Sequence, residues 1–381
     1  MRRTATADAR KDQATGVKTV NQYTLLSEAG RGSFCKVKWA TDSTGRRHAV
    51  KVFAKGVLDR REVSFFDKNG ASTISLRQRI DEELRILAGL QHSSVVVLTE
   101  VIDDPNHEKM YAVMEGLRGG QLMAWDEDLA AYSIRASADE VRQHWGDQVQ
   151  YGAVPWRDDG VLVFREGVAA AVLQQLVGAV AYLHGLPGQG IIHKDLKPEN
   201  ILLTAPLPSG DPRFAGRLAV EAWPDLQAPA PGVEASDVRP LVVAGGLVAK
   251  IGDFNSAAAC AQPDCLIYDA EGTQLFTPPE CFDGRAEILG KPRDVWSLGC
   301  VLFAMLFGRC PFWAQANIRL QIAVMTEDLA VPGGVVSPGA EGLLRSLLNK
   351  APAARPTAAN IAQHAWLGQG GFLQPGEVAP Q

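Results

Sequence analysis

At 381 residues the chain is long enough for about two globular bodies. A hydrophobic content of 46% and a charged content of 21% belong to a folded, soluble protein, and a net charge of −5 excludes a general nucleic-acid binder, which carries a strong basic excess. No apolar run approaches the roughly 20 residues that cross a bilayer, so no membrane partner is expected.

Residues 1–18 are basic and rich in Ala and Thr, but Asp8 and Asp12 interrupt them and no apolar stretch follows. They read as a disordered tail, ending near residue 19, rather than a cleaved targeting peptide. Strand character begins near Val20, in Tyr23-Thr24-Leu25-Leu26, and continues to about Glu115. One helical run, residues 76–90, interrupts it, with Ile80, Leu84, Leu87 and Ala88 on one face. Gly30-Arg31-Gly32-Ser33-Phe34-Cys35-Lys36-Val37 lies between two strand-like segments. Such glycines are ordinary turn residues, or they let a backbone pass close over a polyphosphate. Lys51 sits mid-strand in His48-Ala49-Val50-Lys51-Val52-Phe53. It faces water at a sheet edge, or it enters a cleft and needs a carboxylate partner, for which Glu83 or its neighbour Glu82 is available.

After Gly116 the pattern is mostly helical, with a long buried helix at 167–184 and a second, apolar nearly all round, at 294–307. Residues 129–164 and 205–246 read as insertions, the latter rich in Pro, Ala and Gly. The six cysteines are scattered; Cys260 and Cys265 lie close in sequence, but no paired spacing or nearby His supports zinc. Free thiols suit a reducing, cytoplasmic compartment, with nuclear access left open.

The chemistry concentrates in Ile191-Ile192-His193-Lys194-Asp195-Leu196-Lys197-Pro198-Glu199-Asn200. Here one short loop carries a carboxylate to accept a hydroxyl proton (Asp195), an ammonium to steady a γ-phosphate (Lys197) and an amide to hold a metal (Asn200). Asp253, in Lys250-Ile251-Gly252-Asp253-Phe254-Asn255, suits Mg²⁺ bridging two phosphates of ATP. Glu280 and Arg355 are placed to pair, and Asp294 to cap backbone around His193.

This ordered set resembles the eukaryotic protein kinase family over roughly residues 23–367. The resemblance implies an α+β, bilobal fold: an N-lobe of five strands and one helix (23–115), a helical C-lobe (118–367) and a tail (368–381). It implies ATP and Mg²⁺ as cofactors and a protein as substrate. Carried over by position, the catalytic residues are Asp195, Lys197, Asn200 and Thr273. The cofactor-binding residues are Gly30, Gly32, Val37, Ala49, Lys51, Glu83, Met114, Glu115, Leu117, Leu202 and Asp253, with Asn200 and Asp253 on the metal. Lys197 and Thr273 resemble the serine/threonine class, and Leu87, Leu98, His193 and Phe254 would form an apolar stack.

A narrower likeness, carried by Val20-Asn21-Gln22-Tyr23, Val101-Ile102-Asp103-Asp104-Pro105-Asn106 and Gly308-Arg309-Cys310-Pro311-Phe312, is to calcium/calmodulin-dependent protein kinase kinases and related activators of AMP-activated-type kinases. It implies that the substrate is an activation-segment threonine of another kinase. Residues 56–75 match an insertion of that group, without its Arg/Pro richness. No basic amphipathic helix follows residue 367, so direct calmodulin binding is not expected. Three departures, Cys35, Lys194 and Asn255, stand where the family has glycine, arginine and glycine, and they keep a non-catalytic scaffold open as the alternative. Near Thr273 lie Asp269 and Glu271, fixed negative charges placed to substitute for an activating phosphate. Asparagine tolerates left-handed backbone next best after glycine, so Asn255 implies a working but restricted switch.

Overall fold

Alternating apolar residues build the first unit's sheet. The computed structural model describes residues 1–32, 34–127, 130–133, 163–164, 166–204, 215–216, 248–261, 263, 265–284 and 287–369. They form two units, Met1–Arg118 with Gly252–Ala257, and Gly119–Ile251 with Ala258–Gln381. The expected insertions at 129–164 and 205–246 lie largely outside the described residues.

In the first unit, β1 (Arg2–Thr4), β2 (Ala9–Lys11), β3 (Lys18–Val20), β4 (Tyr23–Arg31), β5 (Cys35–Thr41), β6 (Arg47–Ala54), β9 (Leu98–Ile102) and β10 (Lys109–Glu115) form one sheet. Its order is β1-β9-β10-β6-β5-β4-β3-β2. Val20, Tyr23, Ala40, Val50, Ile102, Tyr111 and Val113 pack as a core on it. Between β6 and β9 come α1 (Lys55–Leu58), a separate hairpin of β7 (Glu62–Asp67) and β8 (Gly70–Ser75), and α2 (Leu76–Gly89). Ser75 ends the hairpin and caps α2, trading hydrogen bonds with Gln78 in a capping box.

Two expectations are corrected here. The sheet has eight strands rather than five, and residues 1–19 are not a disordered tail. β1 pairs in parallel with β9, and β3 in antiparallel with β4. β1 and β2 lie at opposite ends of the strand order, about 34 Å apart were the sheet flat. The chain from Thr4 to Ala9 reaches about 18 Å. The sheet must therefore curl, and residues 5–8 strap its two ends. Glu100, 1% exposed, anchors this strap. It accepts hydrogen bonds from Thr4, from Gln22 Nε2 (2.8 Å) and from Tyr23 Oη (2.9 Å), with Arg2 Nε at 3.4 Å. Burial, then the Glu100 carboxylate, pushes the Tyr23 phenol up to about 12. No hydrophobic periodicity marks β1 and β2; strand pairing and polar contacts hold them, while Val20 of β3 packs in the core.

The second unit is built on two long apolar helices, α3 (Glu166–His184) and α4 (Gly290–Phe307), buried on nearly every face. α3 has the length and apolarity to cross a bilayer, yet 67% of it is buried inside the protein, as befits a core helix. β12 (Ile201–Leu203) and β13 (Ala249–Ile251) pair antiparallel, and β11 (Gln189–Ile192) pairs with β14 (Ala258–Ala261). These short ladders fix the ends of the Asp195 loop.

Candidate active site

The expected site residues fall into two constellations, one in each unit. In the first, Gly30, Val37 and Lys51 lie in one row across β4, β5 and β6. Ala49 is the register partner of Met114 on β10. Gly32 donates its backbone N–H to the Cys35 carbonyl (3.0 Å), tightening the glycine turn. Leu117 is buried, and Glu115 Oε1 accepts from the backbone N–H of Val97 (2.8 Å). Gly116 has a steric reason: a Cβ there would stand 2.8 Å from the carbonyl carbon and oxygen of Arg47.

Lys51 Nζ donates to Glu83 Oε1 (2.7 Å) and to Asp253 Oδ1 (3.0 Å). Glu83 is thus the partner; Glu82 pairs with Arg85 instead. Burial opposes the charge on Lys51, but Glu83 and Asp253 outweigh it and hold the ammonium protonated. Burial likewise pushes the Glu83 carboxyl up against the pull of Lys51. Leu87, Leu98 and Phe254 are buried in this unit, and His193 in the other.

In the second constellation, Asp195 is held from several sides. Thr273 donates its backbone N–H (2.9 Å) and hydroxyl (2.7 Å) to Oδ1. Asn200 Nδ2 donates to Oδ2 (2.9 Å) and to the Asp195 carbonyl (2.8 Å). Lys197 Nζ lies 3.1 Å from Oδ2 and donates to Thr273 Oγ1 (2.7 Å). Lys197, Thr273 and Asp195 therefore form one proton-ordered chain. Gly272 leads into Thr273 at φ +137°, where a Cβ would stand 2.5 Å from the Lys194 carbonyl oxygen. Leu202 lies between Gln121 and Lys250 in the adjoining small sheet.

Behind the loop, fully buried Asp294 accepts the backbone N–H groups of His193 (2.9 Å) and Lys194 (3.0 Å), as the sequence suggested, and also contacts His184 Nε2 (2.9 Å). Burial works against its charge, but these partners hold its pKa below the usual carboxylate value. Arg355 forks onto Glu280 at 2.6 and 2.7 Å, both buried. Lys194, itself at φ 66°, reaches both carboxylate oxygens of Asp269 (2.9 Å each) and Glu271 at 3.5 Å.

Each unit offers one group whose chemistry suits a hard cation: in the first the Asp253 carboxylate, its side chain 41% exposed, and in the second the Asn200 amide oxygen, the amide hydrogens being donated to Asp195. Among the described residues no group of three or more His, Cys, Asp or Glu makes an all-protein cage.

Residues 23–367 match the protein kinase domain family. The chain belongs to that family, with its α+β, bilobal fold, and the relatives it matches are serine/threonine protein kinases. The family uses ATP, a divalent metal and protein substrates. The chain is similar to serine/threonine-protein kinase ssp1 of Schizosaccharomyces pombe, 29% identical over 364 residues, covering 94% of this chain and 44% of that protein. To serine/threonine-protein kinase GRIK2 of Arabidopsis thaliana it is 27% identical, covering 96% and 70%. To putative CBL-interacting protein kinase 27 of Oryza sativa subsp. japonica it is 28% identical, covering 91% and 63%. The chain thus spans less than half of the ssp1 kinase.

Sequence reasoning found Lys51, Glu83, Asp195 and Asp294 but not His184, Arg79 or the Lys51–Asp253 contact. Arg79 donates through Nε (3.0 Å) and Nη2 (2.9 Å) to the Asn255 carbonyl, across 176 positions. The account of Asn255 is also corrected: the left-handed residue is Asp253 (φ 56°), whereas Asn255 lies in the short 3₁₀ turn Phe254–Ser256.

Proposed function

We propose that the chain transfers the γ-phosphate of Mg-ATP to serine or threonine hydroxyls and acts upstream of other kinases, on their activation-segment threonines. The observation that carries catalysis is the fully donated Asp195 carboxylate. Thr273, Asn200 and Lys197 orient it, so that it can take the proton of an incoming hydroxyl. Lys197 supplies positive charge as phosphate charge develops, and Lys51 does the same toward the nucleotide phosphates. A cation bound at Asp253 would neutralise phosphate charge. A scaffold without transfer has no need of a proton-ordered chain at Asp195.

The upstream role is supported by the sequence likeness in residues 20–23, 101–106 and 308–312. Asn21 and Gln22 from the first of these carry the strap contacts. Transfer of labelled phosphate to a panel of purified, catalytically dead kinases tests both levels. Asp195→Asn should cut turnover about 10²- to 10⁴-fold with nucleotide affinity kept. Labelling outside activation segments would reject the upstream role, and unchanged labelling by the variant would reject Asp195 as base.

Lys194 on Asp269 and Glu271 supports a second element of this reading: fixed carboxylates stand in for an activating phosphate. Phosphatase-treated enzyme should keep most of its activity. Complete loss on treatment would exclude it.

A further inference from the structure

Asn255 carries a side chain at a position where the family has none, and that side chain contacts the carboxylate on which cation binding is proposed to depend. Asn255 Nδ2 donates to Asp253 Oδ1 at 2.6 Å, the same oxygen that accepts from Lys51 Nζ at 3.0 Å. Lys51 also donates to Glu83 on α2. One helical turn earlier on α2, Arg79 donates through two nitrogens to the carbonyl of Asn255. The contacts therefore close on themselves: α2 to Lys51 through Glu83, Lys51 to Asp253, Asp253 to Asn255, and Asn255 back to α2 through Arg79.

We infer that Asn255 and Arg79 are positioning residues that hold the Asp253 carboxylate in place for the cation, resting on the assignment of Asp253 made above. Asp253 sits in left-handed backbone (φ 56°), a conformation unfavourable for a non-glycine residue that persists only when surrounding contacts fix it. Two donors on Oδ1 fix the rotation of the carboxylate. The planar Arg79 fork restrains the Asn255 carbonyl, and with it the 3₁₀ turn that carries the amide. Glycine at 255 would remove one of those two donors and free the backbone at the same step. The departure from the family pattern thus replaces backbone freedom with side-chain restraint, and ties the Asp253 segment to the helix that carries Glu83.

The test is Mg²⁺-dependent ADP binding by calorimetry, without protein substrate, for wild type, Asn255→Gly, Arg79→Ala, Arg79→Lys and the double variant Arg79→Ala/Asn255→Gly. The Mg²⁺ concentration for half-maximal ADP binding should rise about tenfold in Asn255→Gly and Arg79→Ala. The double variant should be no worse than either single one, because the two residues restrain one carboxylate. Arg79→Lys, which keeps a donor and helix propensity, should recover part of the loss. Amide exchange at residues 252–257 should speed up in the same variants. An unchanged Mg²⁺ midpoint in Asn255→Gly overturns the inference, as does strict additivity in the double variant. A midpoint that follows melting temperature across the set, with no separate recovery by Arg79→Lys, overturns it too. Wild type that binds ADP with no Mg²⁺ dependence would instead reject Asp253 as a cation residue, and the two failures are told apart in the same titration.

Discussion

The two constellations are fixed by different means. Lys51, Glu83 and Asp253 meet through charged side chains drawn from three places in the sequence, and Asp253 stays partly exposed. Asp195 is fixed by backbone as well as side chains: its own loop is held by the Asp294 carboxylate, and Thr273 reaches it through an amide that follows Gly272, beside the Thr273 hydroxyl, Asn200 and Lys197. The first arrangement depends on charge partners and can be adjusted by them. The second is preorganised by buried hydrogen bonds, whose removal leaves donors with no acceptor.

The sharpest way to break this contrast is Asp294→Ala. It strands the amides of His193 and Lys194 in a buried place and should cost about 3–5 kcal/mol in urea unfolding. A loss as small as a surface substitution gives would remove the basis for the contrast. The same carboxylate sets an acid limit. Its pKa is lowered by folding, so its contribution is complete above its ordinary value of 3.8 and fades as pH falls through the lower folded value. Asp294→Asn should therefore flatten the decline in stability below about pH 4 in an acid titration followed by fluorescence.

Next in size is Gly272→Ala, which forces a Cβ onto the Lys194 carbonyl and moves Thr273 off Asp195. Turnover should fall about 10²-fold, with nucleotide affinity changed far less, because the displaced groups belong to the second constellation. Equal losses in both parameters would show the constellations to be coupled. Smallest is Thr4→Val, which removes one hydrogen bond to Glu100 and should cost about 1 kcal/mol in thermal or urea unfolding, with kcat unaltered.

The sequence was readable where chemistry is local. Asp195, Lys197 and Asn200 share one loop, so their spacing alone singles them out as candidates. The helices at 76–89, 166–184 and 290–307 were readable from apolar periodicity to within a few residues. What escaped depends on contacts between distant residues with no pattern of their own. β1 has no apolar face and exists by pairing with β9, nearly a hundred residues away. Arg79 is an ordinary helix-surface arginine until the fold brings Asn255 to it. Even the reason for Asn255 was misplaced, because left-handed angles were expected at the residue that breaks the family pattern rather than two positions earlier.

The strap has a practical consequence for anyone cutting this domain out. The family match begins at residue 23, but a fragment starting there would lack β1 and leave β9 as a bare edge strand, with unpaired amides and carbonyls along one side. Such an edge is a template for another chain. Fragments begun at Tyr23 should self-associate where the longer chain stays monodisperse in light scattering.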